Sequence, residues 1–267
     1  MPRPGAWPVA RGFVREARGI ATLAVRYPFG IRSEQVPTPA ERETLGLPVV
    51  LVHGYFHNRS GFYAMRRTLT DDGFAWVHAM NYSPVRNSVA SLAELLADRV
   101  EAILEVSGAP RVHVVGHSLG GLVIRWYLQE LGGCDRVDHA VTIGTPHRGT
   151  YAAYGAFGET GRDMRPGSRT IERLEDGFLD CPTKFVNVYS DTDAFILPAV
   201  SAELPERETV ENVLVRGIGH GSLLLEPRLI RVVSDHLATA EVSAPIAPVR
   251  RLREVTGPPS AAADASL

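Results

Sequence analysis

Ser118 sits in Gly116-His117-Ser118-Leu119-Gly120, between an apolar run at 111–115 and a helical pattern at 119–130. A glycine two residues to either side removes Cβ atoms that a sharp strand-to-helix turn would drive into its neighbours. The serine hydroxyl is then left exposed at the crest of the turn. Such a hydroxyl is a weak nucleophile at neutral pH. It attacks a carbonyl only when an imidazole takes its proton and a carboxylate fixes that imidazole's tautomer. The five-residue string is short enough to arise by accident, as a glycine-rich turn with an incidental serine. The strand before it and the helix after it are what give it weight.

In a strand–turn–helix site the acid and then the histidine follow the serine, on loops at the carboxyl ends of strands. After Ser118 the chain offers His139, His147, His220 and His236. His139 opens a strand, at the wrong end of a sheet. His236 falls inside the last helical pattern, and His147 precedes any suitable acid. His220, in Gly217-Ile218-Gly219-His220-Gly221, follows the last strand on a loop that can carry an imidazole over the sheet, and is the expected base. For the acid, the run 184–189 leads into Ser190-Asp191-Thr192-Asp193. Asp193 is favoured because it lies far enough past the strand to turn back toward His220. Asp191 is the alternative and would otherwise cap the turn. An oxyanion forming at the serine needs two backbone N–H donors. Leu119, at the helix start, and Tyr55, in Leu51-Val52-His53-Gly54-Tyr55, are expected to supply them.

These loops need a scaffold. Six β-like runs alternate with helical patterns, the signature of a parallel sheet covered by helices on both faces. The expected strands are 48–52, 75–80, 111–115, 138–143, 184–189 and 211–215, with helices near 61–69, 89–106, 119–130 and 227–240. Pro227 suits a first helical turn, and Leu229, Ile230, Val233 and Leu237 then share one face. Residues 150–182 form a long insertion with Tyr151, Tyr154, Phe157, Met164, Ile171, Leu174, Phe178 and Leu179 spread through it. A connection of that length is a functional cover or a mobile loop, unless it is a helical excursion that only packs on the sheet. Residues 1–30 hold an amphipathic helix with Phe13, Val14, Ala17, Ile20 and Ala21 on one side, expected to pack on the domain, with membrane docking the lesser reading. The main domain is placed at 31–240. From 241 to 267 alanine, proline, serine and arginine dominate, and a disordered tail is expected.

Bulk composition narrows the chemistry. The chain has 267 residues, 45% of them hydrophobic, enough to bury one full core without division into two domains. A formal net charge of −2 offers no electrostatic case for nucleic acid. Lys184 is the one lysine, so a Schiff-base mechanism has a single, badly placed candidate. No apolar run is long enough to cross a bilayer, and arginines break up the N-terminal stretch, so no standard signal peptide is evident and a cytoplasmic or cell-associated location is expected. Cys134 and Cys181 lack metal spacing. Each falls just before one of two strands that could be neighbours, so one bridge and two free thiols are both open.

Taken together, these residues resemble bacterial lipases and esterases of the α/β-hydrolase superfamily. Gly116-His117-Ser118-Leu119-Gly120-Gly121 is similar to their nucleophile elbow and Val52-His53-Gly54-Tyr55 to their oxyanion loop. Gly144-Thr145-Pro146-His147-Arg148-Gly149-Thr150 is similar to their next strand-end motif, and 164–174 looks like their cover segment. The resemblance implies an α/β-hydrolase fold, hydrolysis of carboxylic esters of fatty acyl chains, no cofactor, and the triad Ser118, Asp193 and His220. It also implies a small ester or lipid substrate, with transient contact to a lipid surface. No paired aspartates match a structural calcium site, and no metal is expected. His117 and His147 are expected to be structural. Acyl transfer or thioester cleavage on the same triad, or a non-catalytic binding protein on the same fold, are the alternatives.

Overall fold

A computed structural model describes residues 6–32, 46–74, 76–177 and 181–239, with side chains described from Val14 onward. The six strands are β1 (Val49–Val52), β2 (Val77–Ala79), β3 (Val112–His117), β4 (Val137–Ile143), β5 (Lys184–Ser190) and β6 (Val210–Val215). They form one sheet in the order β2-β1-β3-β4-β5-β6, every neighbouring pair parallel. All six expected strands are present, shifted by at most two residues at their ends; Ala75, where the second was expected to begin, lies outside the described residues.

The sheet is buried on both faces because its strands are apolar at consecutive positions, and the two-residue period sends alternate side chains to opposite sides. Val50, Val52, Val112 and Val114 meet α3 (Val89–Ser107) and α4 (Leu119–Glu130) through Leu92, Leu96, Leu122 and Val123. Val49, Leu51, Val115 and Val141 face the other way, onto α2 (Tyr63–Asp71) and α7 (Pro227–Ala238), through Met65, Leu69, Ile230 and Val233. Local signals set the helix ends. Ser88 and Ser91 form a capping box at the start of α3, which stops at Gly108 with φ 68°. Pro227 occupies the first turn of α7.

The insertion after β4 folds into α5 (Gly158–Asp163) and α6 (Arg169–Asp176) and docks on α3 and α4. Met164, Ile171 and Leu174 are buried in the core, while Tyr151, Tyr154 and Phe157 stay exposed. Phe178 and Leu179 lie outside the described residues. Buried Arg125 on α4 clamps the segment by donating to the Leu174 carbonyl at 2.6 Å. Cys134 and Cys181 are joined by a disulfide, with Cα atoms 5.6 Å apart. Adjacency of β4 and β5 puts their two entrances side by side, which settles the choice left open above.

The N-terminal segment is helix α1 (Ala6–Arg26), but the face it packs differs from the expected one. Val14, Ala17 and Ala21 are exposed; Gly19 and Leu23 are buried, and Glu16 is half-buried. The apolar stripe misled because the docking face is centred on a small residue and a carboxylate, which a hydrophobicity pattern does not register.

At the amino-terminal edge of the sheet His113 (β3), His139 (β4) and His236 (α7) pack ring against ring, with Asp138 beside them. Burial, with the neighbouring histidines, holds the fully buried His113 at about 3 despite the opposing pull of Asp138. In the unfolded chain the same ring takes a proton near pH 6.5. Below that pH the unfolded state binds more protons, so stability is complete above pH 6.5 and falls as pH drops toward 3. At pH 5 His113 alone should cost roughly 2 kcal/mol relative to pH 7. Urea unfolding at the two pH values should give a smaller difference for His113→Phe than for the parent; equal differences would exclude this origin.

Candidate active site

Ser118 forms the whole connection between β3 and α4, with φ 54° and ψ −120°. It is the only non-glycine residue with positive φ among the described residues. Such a conformation costs of order 1–3 kcal/mol and persists only where packing on both sides dictates it. Here the packing is severe. A Cβ on Gly120 would lie 2.1 Å from the Val52 carbonyl oxygen, and one on Gly116 2.7 Å from the backbone of Gly120. Gly120 is therefore required so that α4 can cross the end of β1, and Gly116 so that the start of α4 can pack back against β3.

The loops after β5 and β6 bring an acid and an imidazole together. His220 Nδ1–H donates to Asp193 Oδ2 at 2.6 Å, both groups being buried. The other Asp193 oxygen accepts from the Phe195 and Ile196 amides at 2.8 and 3.1 Å, so the carboxylate cannot rotate away. Asp191 points elsewhere: it accepts from the Gly217 amide at 2.9 Å and pairs with exposed Arg216. His117 Nε2–H donates to the His220 carbonyl at 3.2 Å, and Ser190 Oγ donates to the Ile218 carbonyl. The His220 loop is thus held from β3 and from β5.

Ser118 and His220 line one cavity of about 570 Å³, together with Tyr55, Phe56 and Phe195. The Ser118 hydroxyl makes no hydrogen bond to another described residue and opens onto this space. The imidazoles around it stay neutral. Burial lowers His57 to about 4 and His53 to about 4, and burial beside His220 and His57 holds His117 well below the usual histidine range. Of these rings only His220 has a carboxylate on its far nitrogen, which is what a base that must take and return a proton needs.

Gly54 brings the loop after β1 close: a Cβ there would lie 3.0 Å from Ser118 Cβ. The Tyr55 amide, next after Gly54, and the Leu119 amide, next after the serine, are not used in any backbone hydrogen bond among the described residues. The Tyr55 phenol reaches the insertion, donating to the Phe157 carbonyl at 2.7 Å and accepting from the Phe157 amide at 2.8 Å. The strand-end motif after β4 is buried behind the acid and base. His147 Nε2–H donates to Asn187 Oδ1 at 3.2 Å, Thr142 Oγ donates to the same oxygen at 3.0 Å, and Arg125 holds the His147 carbonyl at 3.0 Å. Gly144, with φ 55°, lies against the acid and base: a Cβ on it would be 3.1 Å from Asp193 Oδ2.

Among the described residues of the insertion at 150–182 none lines this cavity, and the segment packs over α3 and α4. The opposite wall comes from α1 and the turn after it, through Glu16, Ile20, Leu23, Ala24, Tyr27 and Pro28. Phe195 is a second unanticipated neighbour, its ring 5.2 Å from that of His220. Neither belongs to a recognisable motif.

The profile of the alpha/beta hydrolase fold family matches residues 48–179. Among solved structures, a Bacillus licheniformis lipase in its mature form superposes with a TM-score of 0.61 over 77% of this chain and 96% of its own, at 18% identity. Lipase B of Aspergillus fumigatus superposes with a TM-score of 0.62 over 76% of this chain and 54% of its own, at 20% identity. The chain is an α/β-hydrolase-fold protein, and its resemblance to bacterial lipases and esterases of that superfamily holds. A triacylglycerol lipase of Vibrio cholerae is 36% identical over 111 residues, 40% of this chain and 34% of the relative. One of Pseudarthrobacter phenanthrenivorans is 35% identical over 111 residues, 39% of this chain and 34% of the relative. The alignable region thus spans about a third of the length of these relatives.

The Tyr55 phenol is the tie between the loop after β1 and the insertion. Tyr55→Phe should remove both bonds and, at roughly 1 kcal/mol for the lost pair, speed amide exchange of Phe157 several-fold without unfolding the domain. Exchange at Phe157 unchanged by the substitution would mean that other contacts hold it.

Proposed function

We propose that this protein hydrolyses carboxylic esters of fatty acyl chains through an acyl-serine intermediate. The reading is carried by one observation: a buried Asp193–His220 pair opens onto the same cavity as a serine held in a strained strand-to-helix turn. A binding protein has no use for that strain, which folding must offset elsewhere.

In the proposed reaction Ser118 Oγ bonds to the ester carbonyl carbon while its proton passes to His220 Nε2. Asp193 accepts from Nδ1–H and stabilises the imidazolium so formed. The carbonyl oxygen, now an anion, is held by the Tyr55 and Leu119 amides; one such donor is worth about 3–4 kcal/mol to the barrier. When the tetrahedral centre collapses, the carbon–oxygen bond to the alcohol breaks and the alcohol leaves with the proton from His220. Water then adds to the acyl-enzyme by the same path, its proton going to His220, and the carboxylic acid departs as the proton returns to Ser118 Oγ. The buried acid and neutral surrounding imidazoles leave His220 as the one group able to shuttle that proton.

Apolar side chains supply most of the cavity surface, which suits an alkyl chain better than a polar acyl group. The relatives named as triacylglycerol lipases support the same substrate class.

Ser118→Ala should abolish hydrolysis of p-nitrophenyl esters and labelling by a fluorophosphonate while the protein stays folded; activity near that of the parent would refute the assignment. The two aspartates should separate cleanly. Asp193→Asn should lower kcat by about 10³–10⁴, because the imidazole loses its tautomer, whereas Asp191→Asn should change it less than about threefold. The reverse ranking would move the acid to Asp191.

A further inference from the structure

Helix α1 lies outside the region matched by the family profile, yet Glu16, Ile20, Leu23 and Ala24 on it line the cavity that holds Ser118 and His220. Its attachment is specific. Both oxygens of the Glu16 carboxylate accept backbone amides of the His220 loop, from Gly221 at 2.9 Å and from Ser222 at 3.2 Å. Ser222 Oγ donates to the Arg15 carbonyl at 3.2 Å, and Arg15 pairs with Glu226 at the start of α7. The contact is close enough to dictate residue size on both partners. A Cβ on Gly19 would lie 2.5 Å from Ser222 Oγ, and one on Gly219 2.3 Å from Glu16 Oε2. Leu23 is buried against Gly221, where a Cβ would meet its Cδ1 at 3.2 Å.

Two consequences follow from this packing. The amides directly after the expected base are held by the two oxygens of a single carboxyl group, which fixes both at once. One turn further along, at Ile20, and two turns along, at Leu23 and Ala24, the same helix presents apolar surface to the space beside Ser118. A spacing of three to four residues places these groups on one side of α1, in line with Glu16.

Resting on the ester-hydrolase reading above, we propose that α1 is part of the active site: Glu16 is a positioning residue for the His220 loop, and Ile20, Leu23 and Ala24 form the wall that selects the substrate's acyl chain. Chain selection and base alignment are then functions of one element. The insertion at 150–182, which the motif pattern favoured for the cover, is not needed for either.

The wall is tested by the ratio of kcat/KM for p-nitrophenyl octanoate over p-nitrophenyl acetate. Ile20 and Ala24 are exposed in part, so Ile20→Asp and Ala24→Trp can fold, and circular dichroism checks that they do. Each should lower the ratio at least tenfold, one by placing charge against the alkyl chain and the other by filling its space. A ratio within twofold of the parent in both variants would overturn the wall. Positioning is tested on the acetate ester alone. Glu16→Ala should lower kcat about tenfold with KM within twofold, and Glu16→Gln, whose single amide oxygen can still accept, should recover part of that loss. Parent-like kcat in Glu16→Ala, or no difference between the two substitutions, would overturn the role of Glu16. If the parent chain neither turns over the acetate ester nor labels with a fluorophosphonate, the hydrolase reading fails and takes this inference with it. If the parent does both and the variants behave like it, only the assignment to α1 fails.

Discussion

No side chain fits where α4 crosses the carboxyl end of β1. Gly120 meets the Val52 carbonyl there at a distance that leaves no room for a Cβ, and this contact fixes the origin from which the rest of the site is measured. It forces the chain to reverse within one residue after β3, which places Ser118 at positive φ. It also brings the loop after β1 against the serine at Gly54, the residue just before Tyr55. A single close approach of backbone to backbone thereby sets the turn that carries Ser118 and the approach of the loop that carries Tyr55.

The other half of the site has no comparable rigidity of its own. His220 stands on a glycine-flanked loop past the last strand, and a loop of that kind has little intrinsic preference for one position. Its place is set by side chains instead. Asp193 takes the imidazole, His117 takes the carbonyl of the same residue, Ser190 holds Ile218, and Glu16 holds the two amides that follow. Four ties from three different parts of the chain do for the histidine what one steric contact does for the serine. The serine side of the site is consequently encoded by glycines, and the histidine side by polar groups.

That difference explains what was legible in the sequence. Gly116, Gly120 and Gly54 mark places where backbone needs space, and such requirements are local and readable; the strands and α4 followed from apolar runs of the right length. Asp193 over Asp191 rested on reach alone, and the structure separates them by which loop each carboxylate faces: His220 for one, Gly217 and solvent for the other. The role of α1 left no such trace. Its docking face reads Glu16, Gly19 and Leu23, a charge and a small residue beside one apolar group, and that pattern is silent on amphipathic criteria. The insertion was open to two readings, a cover or a packed excursion, because its length and scattered apolar residues fit both; Met164, Ile171 and Leu174 are buried over α3 and α4, while Tyr151, Tyr154 and Phe157 stay exposed.

The cystine between the entrances of β4 and β5 has a consequence for the covalent topology. Residues 134–181 form a closed ring of backbone and sulfur that contains a central strand, the loop with His147, and both helices of the insertion. A peptide bond cut anywhere inside that ring opens it without releasing a fragment, so the nicked polypeptide remains one molecule of unchanged mass apart from an added water. Only reduction would then let the two pieces part.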